Sequence, residues 1–283
     1  MIEILKTGLY DTIQDNGRMG WQEFGVPISG VMDRYSATLA NSILGNSNYA
    51  AVLESVVVGP HLKFNQDTVI CIAGADMSVV LNERALKTNT VYQVLKGDIL
   101  KFGTCKYGCR SYLAVLGGFQ TEIQMGSRSM YKGVTADYKL FKGDMLSISK
   151  ISNNVSNSYS AVKIDKTHFE TQQLEVFIGP EFDKLDNNTQ HKLLHTKFTI
   201  SKDSNRMAYQ FDDIIENELK DGITSLVLPG TVQLTPSGKL IVLMRDCQTT
   251  GGYPRVLQLT EKSINNLGQQ FIGNKISFKC LYW

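Results

Sequence analysis

Lys275-Ile276-Ser277-Phe278-Lys279-Cys280-Leu281-Tyr282 alternates, with Ile276, Phe278, Cys280 and Tyr282 on one side of an extended chain and Ser277, Lys279 and Leu281 on the other. A period of two is what a strand with one buried face needs, because successive side chains point to opposite sides of the pleat. Upstream, residues 174–178, 197–201 and 240–244 behave similarly, and 68–73 and 77–81 read as two β-branched strands separated by Gly74-Ala75-Asp76. Helical patterning is scarce. Residues 33–44 carry it best: Asp33 suits the N-cap, Leu39/Ile43 and Ala40/Leu44 are i,i+4 pairs, and Gly45 supplies the stop. A second helix follows Thr260, with Ile264 and Leu267 inward and Gly268 ending it. The chain therefore reads as mainly β with a few short helices.

The 283 residues carry 29 Lys and Arg against 27 Asp and Glu, a net charge of +2. Such a balance removes the electrostatic case for nucleic acid or an anionic membrane. No apolar run reaches the roughly 18–20 residues that cross a bilayer. Met1-Ile2-Glu3-Ile4-Leu5-Lys6 reads as a first strand with no signal-peptide character, so a cytoplasmic protein is expected. At roughly 150 residues per domain the length predicts about two domains. Residues 151–160 hold seven Ser or Asn in ten positions and no apolar period, a linker composition just past the midpoint. Domains over 1–155 and 156–283 follow, with the boundary between 150 and 172. Gly59-Pro60 is echoed by Gly179-Pro180, and Lys96-Gly97-Asp98 by Lys142-Gly143-Asp144. Two related β-barrels fit these echoes.

Five cysteines, three of them widely scattered, argue against a disulfide framework. Cys105 and Cys109 lack a second pair at zinc-site spacing and read as strand cysteines beside a turn. His191 and His195 share one face of a solvated helix. Cys247 is either a nucleophile or a small buried strand residue.

Three stretches are dense in glycine and functional polar groups. In the first, Thr12-Ile13-Gln14-Asp15-Asn16-Gly17-Arg18 precedes Gly25-Val26-Pro27-Ile28-Ser29-Gly30-Val31-Met32-Asp33. Its glycines permit backbone N–H groups to converge on an anion, and Arg18 suits a carboxylate or phosphate. Tight turns, with Arg18 paired to Asp15 or Asp33, are the alternative. The second is Gly117-Gly118 followed by Gly126-Ser127-Arg128-Ser129, two hydroxyls and a guanidinium that suit an oxyanion, or else an exposed polar turn. It lacks the Gly-Lys-Ser/Thr ending of a phosphate-binding loop. The third joins Gln233 to Arg245-Asp246-Cys247-Gln248-Thr249-Thr250-Gly251-Gly252-Tyr253-Pro254, at the end of an apolar strand. Gln248 can donate and accept at once, as an amide ligand requires. A β-hairpin with a Gly-Gly turn is the alternative.

These stretches closely resemble one family: the C component of bacterial 5-oxoprolinase, the allophanate hydrolase subunit 2 proteins, the matching half of biotin-dependent urea carboxyltransferases, and an antagonist of a sporulation kinase inhibitor. Its Thr-x-Gln-Asp-x-Gly-Arg-x-Gly stands at 12–20, Gly-Val-Pro-x-Ser-Gly-x-Met-Asp at 25–33 and Ala-Asn-x-x-x-Gly-Asn at 40–46. Leu53-Glu54, Gly59-Pro60, Ser204-Asn205-Arg206-Met207 and Gln248-Thr249-Thr250-Gly251-Gly252-Tyr253-Pro254 follow in order.

The resemblance implies two cyclophilin-like β-barrel domains, a kinase-inhibitor-like B component as partner, a separate A-component hydrolase, and a small amide or lactam substrate. It implies ATP as cofactor, shared with or held by the partner; the Cys and His spacing offers no metal site, and no Met-Lys-Met biotin-attachment signature appears in this chain. The implied function is ATP-dependent activation of the 5-oxoproline lactam on the way to glutamate. A carboxyltransferase half and a non-catalytic regulator are the rivals. The expected catalytic set is Arg18, Asp33, Arg128, Gln248 and Thr250. The expected substrate-binding set is Gln14, Asn41, Ser127, Arg206, Gln233 and Tyr253. Asp33, Glu54 or Asp246 is expected to take a proton or hold an arginine, Glu54 with a purely structural alternative. The chain departs from the pattern at Asn205, Ala208 and Gln210, and Asp137-Tyr138 replaces the usual Gly-Arg, which points to altered specificity or a regulatory paralogue.

Overall fold

A computed structural model describes residues 1–149, 166–220 and 222–281. The Ser/Asn stretch, Tyr282 and most of the expected boundary region lie outside the described residues. The chain divides into two units, Met1–Arg18 with Ser29–Lys166, and Met19–Ile28 with Thr167–Trp283. Both are β-rich, with α1 (Arg34–Leu44) in the first, and α2 (Asn187–His195) and α3 (Glu261–Leu267) in the second. Among the described residues no helix is long and apolar enough to cross a membrane.

In the first unit a six-stranded sheet contains Ile2–Lys6, His61–Phe64 and Ile99–Lys101 as consecutive neighbours. A five-stranded sheet runs Asp11–Gln14, Val52–Val56, Tyr107–Val115, Thr68–Asp76, Val91–Val94. Period-2 patterning buries Ile2, Ile4, Leu62, Phe64 and Leu100 of one sheet with Ile13, Leu53, Ile70, Ile72 and Leu113 of the other. The second face of the five-stranded sheet, carrying Val52, Cys71, Ala73, Tyr112 and Ala114, is covered by Ala37, Leu39 and Ala40. Those three residues lie on α1, which starts and stops where its sequence signals place it. Asp33 accepts from the Ser36 N–H at 3.1 Å, and Gly45 ends the helix at φ 70°.

One strand boundary is corrected. Residues 74–76 do not interrupt the chain, because Thr68–Asp76 is a single strand and only Val80–Leu81 pairs beyond it. Its partner takes extra residues between the pairs Tyr107↔Asp76 and Ser111↔Gly74. Gly74, at φ +89°, sits against that bulge, where a Cβ would lie 2.5 Å from the Arg110 carbonyl oxygen. The glycine marks close approach within a strand, where the sequence suggested a break. The Lys-Gly-Asp echo, by contrast, is one turn used twice. Asp98 accepts from the Leu95 N–H at 2.9 Å and Asp144 from the Phe141 N–H at 2.7 Å, with Gly97 and Gly143 at φ 98° and 94°.

In the second unit, seven strands run Phe198–Thr199, Lys275–Cys280, Gln173–Ile178, Arg255–Leu259, Thr231–Leu234, Lys239–Leu243, Ala208–Ile214. The bridge Ile200↔Phe211 and the bond from Ser201 N–H to the Gln210 carbonyl (2.9 Å) join the two ends, closing the sheet into a barrel. Ile276 and Phe278 face its core, as their alternation requires, and Phe278 meets Phe198 at 5.6 Å. Thr260 caps α3, with Ile264 and Leu267 buried. His191 and His195 stack 4.0 Å apart on the exposed side of α2.

Candidate functional site

In the first unit the first two polar stretches meet at Asp15. Its Oδ1 accepts from the hydroxyls of Ser127 (2.6 Å) and Ser129 (2.7 Å) and from the Gly17 N–H (2.8 Å), while Oδ2 accepts from the Arg128 N–H (2.6 Å). The oxyanion cradled by Gly-Ser-Arg-Ser here is the protein's own carboxylate. Arg18, fully buried, donates to the Ser129 carbonyl. The Arg128 guanidinium donates to the Thr121 carbonyl and, at 2.9 Å, to Gln120 Oε1. Gly30 makes the crossing possible: at φ +93° a Cβ would lie 2.9 Å from the Asn16 carbonyl carbon, and the neighbouring Val31 N–H bonds Asp15 O at 2.9 Å.

The remaining candidates of this unit are hydrogen-bonded to other parts of it. Gln14 donates to Thr12 Oγ1 (3.1 Å) and the Met130 carbonyl (3.2 Å), and its buried Oε1 has no partner among the described residues. Asn41 donates to the Ala50 carbonyl at 2.8 Å and accepts from Asn46 at 3.0 Å, behind the end of α1. Asp33 caps α1 while its N–H donates to the Tyr112 hydroxyl at 2.8 Å. Glu54 accepts from the Met32 N–H at 2.8 Å and lies 3.8 Å from the Arg110 guanidinium, both side chains buried. Beside Arg128 a shallow cavity of about 270 Å³ also contains Glu122, Asp137 and Asp144, so its walls are net acidic.

Asp11, on the core face of the five-stranded sheet, is 2% exposed and accepts from the Gly8 N–H at 2.5 Å. Burial raises its pKa from 3.8 to about 6, partly offset by Ser55 and Gly8. A carboxyl whose folded pKa is raised stabilises the fold fully below its unfolded value and loses that contribution as pH rises through the folded value. The first unit is thus expected to lose stability from about pH 4 to pH 7, by at most roughly 3 kcal/mol from this group. Asp11→Asn should flatten that slope and raise stability at pH 7, as denaturant titrations at both pH values would read. An unchanged slope would remove Asp11 as its source.

In the second unit the third stretch is built on two supports. Arg206 grips Asp246 through Nε (2.8 Å) and Nη2 (3.1 Å), with both side chains buried. Gln233, also buried, donates to the Tyr253 carbonyl at 3.2 Å, and a Cβ on Gly251 would lie 2.6 Å from its Nε2. Gln248, half-buried, and Thr250 and Tyr253, exposed, have side-chain polar groups with no hydrogen bond among the described residues. Their hydrogen-bonding groups are therefore not used inside the described part of the chain. No Gly-Gly hairpin forms, because Thr250–Gly251 pairs with the distant Ser225–Leu226. Burial pushes the Cys247 thiol up to about 12, which suits the packing reading and opposes the nucleophilic one.

Several participants carry little sequence signal of the role they play. Asp15 stands out in the sequence only as a partner for Arg18. Arg245, 2% exposed, pairs with Glu261 at 2.5 and 3.1 Å and with Asn265 at 3.1 Å. Glu181 takes the Arg255 N–H and guanidinium at 2.8–3.0 Å. Its position directly after the repeated Gly-Pro is the one available signal. At the departures, Asn205 Oδ1 accepts from the N–H groups of Met207 (2.7 Å) and Ala208 (3.3 Å), a turn that Asp makes equally well.

Residues 24–280 match the model of the family described as carboxyltransferase domain, subdomain A and B. The chain is 31% identical to the 5-oxoprolinase C subunit of Escherichia coli (strain K12), over 98% of this chain and 90% of that one. It superposes on the K. lactis urea amidolyase with a TM-score of 0.88 at 26% identity, covering 99% of this chain and 19% of that one. A solved structure titled TTHA0988 gives a TM-score of 0.85 at 26% identity, with 98% of this chain covered. The chain spans 55% of the length of that protein.

Proposed function

This chain belongs to the carboxyltransferase domain family, subdomain A and B, and on that premise we propose that it works as the C component of an ATP-dependent 5-oxoprolinase. The observation carrying this reading is the match to a 5-oxoprolinase component over 98% of this chain and 90% of the relative. The chain would act with a kinase-inhibitor-like B component to activate the lactam, and an A component would complete ring opening to glutamate. Gln248 has both a donor and an acceptor for an amide, Thr250 adds a hydroxyl and Tyr253 a phenol. Preorganised donors of this kind stabilise negative charge developing on the amide oxygen. Arg206 and Gln233 hold that segment in place. Arg18, Asp33, Arg128, Gln14, Asn41 and Ser127 shape the loops of the first unit.

Co-expression with B-type and A-type components, followed by assay of glutamate from 5-oxoproline and ATP, tests the reading. Product is expected in the complete mixture and is lost without this chain. No product at saturating 5-oxoproline and ATP overturns it. The similarity to urea amidolyase favours a second reading, carboxyl transfer to a small amide with carboxybiotin supplied by another polypeptide.

A further inference from the structure

Thr189 and Leu193 bury one side of α2. His191 and His195 follow each of them by two residues, about 200° round the helix, and are exposed. Residues four apart are neighbours on a helix surface, and here the two rings stack, with centroids 4.0 Å apart and planes 9° from parallel. His195 Nδ1 lies 2.9 Å from the His191 carbonyl oxygen. A carbonyl oxygen only accepts, so the proton of this bond sits on Nδ1, and Nε2 of the neutral ring keeps its lone pair. A bond of this kind, from one ring nitrogen to a backbone carbonyl, fixes tautomer and ring plane in metal-ligating histidines. His195 is also the last residue of α2, where the carbonyls of the final turn carry partial negative charge that favours a cation. Lys192 lies one residue round the helix, off the stripe that Asn187, His191 and His195 share.

Spacing alone reads these histidines as part of a solvated face; the stacked rings and the oriented imidazole are what the structure adds. We infer that His191 and His195 chelate one late divalent transition-metal ion on the outer face of α2. An ion held at about 2.0–2.1 Å by each nitrogen needs the two ligand atoms about 3 Å apart, and side-chain torsions of two exposed residues supply that closure from the stacked position. No third His, Cys, Asp or Glu joins the pair among the described residues, so water or another small ligand completes the shell. Two imidazoles with open positions favour Cu²⁺ and Ni²⁺ over Co²⁺ and Mn²⁺, and disfavour Mg²⁺, which takes oxygen ligands.

Calorimetric titration of nickel chloride into the full chain, with any affinity tag removed, tests this. Ni²⁺ is the probe because, unlike Cu²⁺, it does not oxidise free thiols, of which the chain has five. One saturable site per chain is expected. Losing a ligand costs no less than losing the group that orients it, so His191→Gln and His195→Gln should each weaken binding by at least about tenfold. Melting temperatures of the metal-free variants should stay close to the parent's, because both side chains are exposed. Ni²⁺ should slow hydrogen exchange along α2, since the chelate clips one turn to the next, whereas Mg²⁺ should not. His61→Gln, at a histidine of the first unit, should leave binding unchanged. Absence of saturable binding, binding indifferent to both α2 substitutions, or a loss in His61→Gln equal to that in His191→Gln would each overturn the site.

Discussion

Arg206→Ala is expected to destabilise the second unit by about 3–5 kcal/mol. The guanidinium holds both oxygens of Asp246, and side-chain exposures of 8% and 9% keep water from replacing it. Removing it strands a buried carboxylate beneath the turn that carries Cys247 and Gln248. The same contact is stitched by backbone bonds from Asp246 N–H to the Arg206 carbonyl (3.0 Å) and from Met244 N–H to the Met207 carbonyl (2.9 Å). Loss of the pair therefore loosens the segment that carries Gln248 and Thr250, and under the proposed function turnover with the partner components should fall with stability. The double variant Arg206→Met/Asp246→Leu should recover most of the stability, because two apolar side chains leave no buried charge, while turnover stays low. Urea denaturation of the full chain reads the first effect and the coupled assay the second. A single variant as stable as the parent would show that solvent reaches Asp246.

Asp15→Ala is the second large effect, expected to cost the first unit about 3–5 kcal/mol. One carboxylate takes two serine hydroxyls and two backbone N–H groups between 2.6 and 2.8 Å. Ser127 and Ser129 are buried, so each hydroxyl left unpaired costs about 1–3 kcal/mol, the half-buried Gly17 and Arg128 N–H groups less, and the terms are not additive because the donors share one acceptor. Asp15→Asn should fall between parent and Ala variant, since one amide oxygen still accepts while the NH2 faces donors. Susceptibility of residues 120–130 to limited proteolysis should rise in the same order. Equal stability of parent, Asn and Ala variants would mean that the loop is held elsewhere.

The local elements are legible because their causes lie within a few residues. Asp33 and Gly45 bound α1, Thr260 starts α3, and the alternation of Ile276 with Phe278 places one strand face inward. The pair of Lys-Gly-Asp turns is recognisable for the same reason. Gly74 misleads because its close approach to the Arg110 carbonyl depends on a bulge in a strand more than thirty residues away. The Gly251-Gly252 segment misleads likewise, since its ladder partner is Ser225–Leu226 and not its own neighbour.

The candidate site divides along the same line. The residue types are visible: an amide at 248, hydroxyls at 127, 129 and 250, and arginines at 18, 128 and 206. Their assignments are not. Asp15 meets Ser127 and Ser129 across separations of 112 and 114 residues, and Arg206 meets Asp246 across 40. From spacing alone, a guanidinium or a Gly-Ser-Arg-Ser loop suits any anion equally well.

The sequence by itself determined that this chain is mainly β, where α1 starts and stops and where α3 starts, and which family signature it carries, since periodicity, capping and motif order are properties of neighbouring residues. Only the tertiary structure decided which of the polar groups are consumed inside the protein and which stay open. The tertiary pairing of distant segments brings Asp15 to Ser127 and Ser129, and Asp246 to Arg206. Among the described residues, Gln248, Thr250 and Tyr253 keep side-chain polar groups without an internal hydrogen bond.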